Sequence, residues 1–110
     1  MSVFETSLWM ARDTALSHTL DFDGIIANAF VMCRAVGQVY DLDGFERGEW
    51  IKTAEVIRVG SLISYDYIET SDGKRFLILS HECQAAKDSF AHMRKFIGIN
   101  AAYFEAKRAA

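Results

Sequence analysis

Phe4, Leu8, Ala11 and Ala15 recur at intervals of three and four, so a helix over residues 3–17 turns them all to one side. Ser2 and Glu5 stand where a capping box would start that helix, each side chain satisfying the other's backbone N–H. A polar connection over 18–24 follows. Residues 25–40 fit two periods: Ile25, Ala29, Phe30, Cys33, Val36 and Tyr40 lie at helical spacing, whereas the density of Val, Ile, Phe and Tyr, with Gly37 near the end, suits a buried strand. The reading adopted is a short helix near 23–29 and a strand over about 30–40. Residues 50–59 are β-rich and Gly60 punctuates them. Strands over 62–70 and 75–79 are joined through Ser71-Asp72-Gly73-Lys74, where Asp-Gly predicts a two-residue type I′ turn. Ser80 is placed to cap a helix with Cys83, Ala86, Phe90, Met93 and Ile97 on its buried face and His81, Asp88, His92 and Lys95 opposite. Gly98 is a natural C-cap, and Asn100 can start a last helix to about Ala109. The blocks read as one α+β domain: N-terminal helices, a small antiparallel sheet of about four strands over residues 30–80, and C-terminal helices.

Composition supports a self-sufficient fold. The 110 residues are 51% hydrophobic, enough for one core without metal or disulfides. No apolar run reaches membrane-spanning length, the first residues lack a signal-peptide pattern, and two cysteines are too few for a disulfide scaffold. A cytoplasmic protein is expected. Net charge is −3, unevenly spread: nine acids oppose five bases in residues 1–60, and six oppose seven in residues 61–110. A dedicated nucleic-acid binder carries a stronger basic bias, so a protein partner with a basic surface suits this chain better.

The chemical motifs are incomplete. Leu20-Asp21-Phe22-Asp23-Gly24-Ile25-Ile26 is similar to the first motif of haloacid-dehalogenase-type phosphatases, which need their Asp at the end of a buried parallel strand in a much larger fold. The preceding residues make a poor buried strand, and Asp23 capping a following helix explains the same residues. Asp41-Leu42-Asp43-Gly44 lacks the further carboxylates of a Ca²⁺ loop. His81, Cys83 and His92 do not converge on zinc if one helix turns both histidines to solvent and Cys83 inward, and an Asp88–His92 pair fits that helix face. Cys33 and Cys83 lack a C-x-x-C arrangement and read as small buried residues. Neither a cofactor nor a metal is expected.

The segment Val39-Tyr40-Asp41, Phe45-x-x-Gly48-x-Trp50-Ile51-x-Thr53, Ile68-Glu69-Thr70 and Phe76-Leu77-Ile78-Leu79 resembles a group of small proteobacterial and prophage-borne proteins. Those proteins carry a strand ending V-x-D, an R-F-x-x-G-x-W-V-R-T-S segment and a closing E-T-x-N-x-x-Y-x-L hairpin. The likeness covers residues 36–80; Gly44 stands where that pattern has Arg, and Ala54 where it has Ser. It implies a β core and a mobile-element setting, with no catalytic role.

A non-enzymatic protein-binding module is therefore the leading expectation, in the manner of phage-encoded inhibitors, anti-CRISPR types included, that mask a host complex. The expected contact patch is Asp41, Asp43, Phe45, Glu46, Glu49 and Trp50: aromatic anchors inside an acidic rim. A small-ligand or nucleic-acid-binding β domain with Tyr65, Tyr67 and Phe76 as a stacking platform is the alternative, and a small enzyme without a recognisable motif the third. A homodimer is expected through Ile99, Ala102, Tyr103 and Ala106, a stripe on the final helix.

Overall fold

The structure, a computed structural model, describes residues 2–17 and 21–95. Helix α1 (Val3–Ser17) leads into strands β1 (Gly24–Val31), β2 (Arg34–Tyr40), β3 (Glu49–Leu62), β4 (Tyr65–Thr70) and β5 (Arg75–Ile78), and helix α2 covers 84–95. The α+β expectation holds. The final helix proposed over 100–109, its Gly98 boundary and the dimer stripe lie outside the described residues. No described helix is long and apolar enough to cross a membrane.

The five strands run up and down in sequence order and close on themselves as a barrel. With an odd number of alternating strands the first and last must point the same way. β5 accordingly pairs with β1 in parallel, Ile25 opposite Leu77, while every other pairing is antiparallel. Closure removes the free strand edges an open sheet would expose. β3 is long enough to serve both neighbours: its first half pairs with β2 and its second with β4. Buried Thr53 sits near the handover, where its Oγ1 accepts from Ala35 N–H at 3.0 Å and donates to the Ala54 carbonyl at 2.8 Å. Register shifts in β1/β2, β2/β3 and β3/β4 bend the sheet into a tube.

The helix expected near 23–29 is instead strand β1. Its apolar run is buried on both faces, Ile26 inside the barrel and Ile25 outside it under α1, so no alternation marks it as a strand. At Asn28 the strand bulges. Asn28 adopts φ 53°, its N–H donates to Ser80 Oγ at 2.9 Å, and its Nδ2 donates to Gln38 Oε1 at 2.8 Å. Ser80 is thus committed to the bulge rather than capping a helix, and the Cys83 carbonyl accepts the first α2 bond, from Lys87 N–H.

Two apolar clusters result. Inside the barrel, Ile26, Val39, Ile68, Phe76 and Ile78 meet Phe90 of α2, with Met93 against them, so α2 stoppers the tube. Outside, Leu8 and Ala11 of α1 cover Ile25 and Leu77, flanked by Phe4, Phe22, Tyr40, Tyr65 and Tyr67. α1 spans the residues its stripe predicts, but only half of its capping box forms: Ser2 Oγ accepts from Glu5 N–H, while the Glu5 carboxylate turns to Arg47.

Candidate contact surface

The segment between β2 and β3 is built around one buried residue. Leu42 is drawn into the interior cluster, and its carbonyl accepts from Phe45 N–H at 3.2 Å. Gly48 N–H reaches the Val39 carbonyl at 2.7 Å and Glu49 N–H the Glu46 carbonyl at 3.1 Å, folding the connection into two tight turns. Gly44 and Gly48 take φ 86° and 82°, a backbone conformation that side chains rarely adopt, so it is the turn geometry rather than crowding that calls for glycine at both. With Leu42 as the inward peg, Asp43, Phe45 and Glu46 are left on the outside.

β3 continues the same surface. Gln38 of β2 is opposite Trp50, and Val36 is opposite Lys52. Their neighbours Ala35, Gly37 and Val39 are buried, so this parity faces outward. All six residues expected at the patch are exposed; Phe45 retains 45% and Trp50 59% of its accessible surface. Phe45 and Trp50 are therefore not the buried pair that a merely solubilising turn would cover.

The acids divide into two kinds. Asp41 accepts a bidentate ion pair from Arg12 of α1, Nε–Oδ2 at 2.5 Å and Nη2–Oδ1 at 2.7 Å, and this carboxylate raises the Arg12 pKa above its ordinary value. Arg47 binds Glu5 and lies 5.6 Å from the centre of the Tyr40 ring. Asp41 thus clamps α1 to the turn. Asp43, Glu46 and Glu49 make no ion pair among the described residues, so they carry the negative field of the patch. Sequence reasoning missed Val36 and Gln38, although their place between the inward positions 35, 37 and 39 gives them away once β2 is recognised.

A second polar centre lies where β4 meets the lead-in to α2. His81 Nε2 and Asp66 Oδ2 are 2.9 Å apart, Ser61 Oγ donates to Asp66 Oδ1 at 3.3 Å, and Arg94 Nη1 lies 3.6 Å from Oδ1. The His81 hydrogen bond holds the Asp66 carboxyl below the usual range, against the opposing effect of burial. Asp66 and His81 border a cavity of about 430 Å³ that Cys83 and Lys87 also line. An Asp–His pair beside a thiol invites a catalytic reading. Yet the only ring nitrogen left for the thiol, His81 Nδ1, is buried and bonded to nothing among the described residues, so no His–Cys contact is assembled.

Several expectations change accordingly. His81 precedes α2 and is 9% exposed at its side chain, whereas Cys83 faces solvent, the reverse of the expected placement. Cys33 is exposed as well, and both cysteines are free. Asp88 accepts from Gln84 rather than pairing with His92, and no described cluster of His, Cys, Asp and Glu could hold a metal ion. Asp23 sits at the start of a strand, where its Oδ2 accepts from Arg75 N–H at 2.8 Å. The stacking platform is absent: Phe76 points into the core, while Tyr67 lies outside over Gly60. No family model, curated protein or solved structure matches this chain.

Proposed function

We propose that this chain is a non-enzymatic protein-binding module that engages a basic surface of a larger complex through the Phe45–Trp50 face. The observation that carries the reading is the exposure of two large aromatics within a rim of unpaired acids, Asp43, Glu46 and Glu49. Aromatic anchors supply binding energy when desolvated, and rim charges steer and select the partner. Masking of a host defence complex by a mobile-element inhibitor is the setting we favour, on the resemblance of residues 36–80 to prophage-borne proteins.

The test is capture from host lysate by tagged protein, repeated with Trp50→Ala and with Asp43→Lys/Glu46→Lys. Trp50→Ala should weaken a purified partner at least about tenfold, a hot-spot effect. The charge reversal should slow association and flatten its salt dependence, with thermal stability held. A partner bound equally by all three proteins would remove this face from the reading.

A further inference from the structure

Glu5, Trp9, Arg12 and Leu16 recur along α1 at i, i+4, i+7 and i+11, so they form one stripe of the helix. Its two charged members both reach the connection between β2 and β3. Glu5 pairs with Arg47, and Arg12 pairs with Asp41. These pairs lay α1 along the connection, and Trp9, between them on the stripe, borders it. Trp9 is 59% exposed, so most of its ring is left outside the fold.

Trp50 borders the same connection from β3 and is likewise 59% exposed. The chain has two tryptophans, and both stand beside the turn over 43–47, in which every residue is exposed. Asp41 and Arg47 are neutralised by their α1 partners. The acids left without an ion pair among the described residues are Asp43, Glu46 and Glu49. A negative turn bordered by two exposed aromatics, one on a helix and one on a strand, is complementary to one kind of occupant. That occupant is a folded protein whose basic surface meets the acids and whose apolar recesses take the two rings.

We infer that Trp9 is a second aromatic anchor for this partner, which spans the ion-paired seam between α1 and the barrel and takes Trp9 and Trp50 together. The inference rests on the Phe45–Trp50 reading and carries that surface onto α1. Full-length protein labelled with 5-fluorotryptophan gives two ¹⁹F resonances, one per tryptophan, assigned with Trp9→Phe and Trp50→Phe. Both should shift on addition of the purified protein that the tagged wild-type chain captures from host lysate. Trp9→Ala should weaken that complex at least about tenfold with unchanged circular dichroism. Met10→Ala, which truncates a 53% exposed side chain off the stripe, should leave it as it was. If the Trp50 resonance alone shifts and Trp9→Ala binds like the wild type, this inference fails and the Phe45–Trp50 reading stands. A shift of the Trp9 resonance alone would overturn both, since contact would then lie on α1. Both also fall if neither resonance shifts or the wild-type chain captures nothing.

Discussion

The β1–β2 ladder carries large apolar side chains at both ends of its outer face and covers only one end. At the first, Ile25 faces Tyr40 under α1, where Leu8 and Ala11 complete a closed cluster. At the second, half-buried Phe30 faces exposed Val36, and the neighbouring strand adds exposed Trp50. The covered end stabilises the fold through area removed from water, about 25 cal/mol per Å². The open end forgoes that gain, and its apolar surface is available to another molecule. The same residue types are covered at one end and exposed at the other, and the difference is the presence of a lid.

That comparison fails if the two ends respond alike to truncation. Leu8→Ala removes a fully buried side chain from beneath α1 and should cost about 2–4 kcal/mol in urea unfolding, transfer loss plus residual cavity. Trp50→Ala should shift the same measurement by no more than about 0.5 kcal/mol, as for an exposed site away from special geometry. A large loss from Trp50→Ala would mean that something covers it.

Gly37 tests what keeps the open end open. It lies between Val36 and Gln38 and faces inward, where an added Cβ would stand 2.4 Å from Ile26 Cγ2 and 2.9 Å from the Ala27 carbonyl oxygen. The second contact is backbone and cannot swing aside. Gly37→Ala should destabilise by about 1–3 kcal/mol through overpacking. Because a one-residue slip of β2 would turn Val36 inward, hydrogen exchange along β2 should rise with the loss. Unchanged stability would show that β1 and β2 approach less closely than this contact requires.

A smaller effect is expected where α2 is anchored, away from both ends. The Asp66 pKa is lowered from 3.8, chiefly by the His81 hydrogen bond. As pH falls, the unfolded chain takes up this proton before the folded one does, so the pair's contribution is complete above that ordinary value and is lost below it. Asp66→Asn should cost about 1–2 kcal/mol near neutral pH, the scale of a hydrogen bond to a charged group. It should also flatten the stability decline below about pH 4. An identical acid limb in the variant would exclude Asp66 as its source.

The sequence revealed what is local. α1 could be read from its stripe, β5 from its turn and the acidic turn from its charges, while the β-rich stretch over 50–70 was legible but divided at Gly60, where β3 in fact runs on to Leu62. Long-range packing hid the rest. β1 is apolar on both faces because α1 and the barrel interior bury it from opposite sides, so neither period dominates. Barrel closure joins Ile25 to Leu77, a pairing no local pattern encodes. The turns exchanged roles. Asp72-Gly73 carries the strongest turn signal but forms a three-residue loop, with Gly73 alone at positive φ, Gly73 N–H bonded to the Thr70 carbonyl and Thr70 N–H to the Lys74 carbonyl. The two-residue turn fell to Ile63-Ser64, which carries no turn signal at all. In the patch, the composition of the rim was legible, but the Arg12 partner of Asp41, 29 residues away, was not.

Asp41 therefore stands on the border between the covered and open ends, and it supplies the finest test of where one stops. Its φ of 63° suits Asn as well as Asp, so Asp41→Asn changes the charge and leaves the backbone requirement alone. The Arg12–Asp41 pair is about 40% exposed on both sides, which limits its worth to no more than about 1 kcal/mol after screening. The substitution should lower stability by that small amount, the loss should shrink in high salt, and partner binding should fall far less than with Asp43→Lys/Glu46→Lys. A clamp that only holds α1 predicts this pattern. Binding lost as fully as in the double variant would instead place Asp41 in the contact rim and move the border of the open surface toward α1.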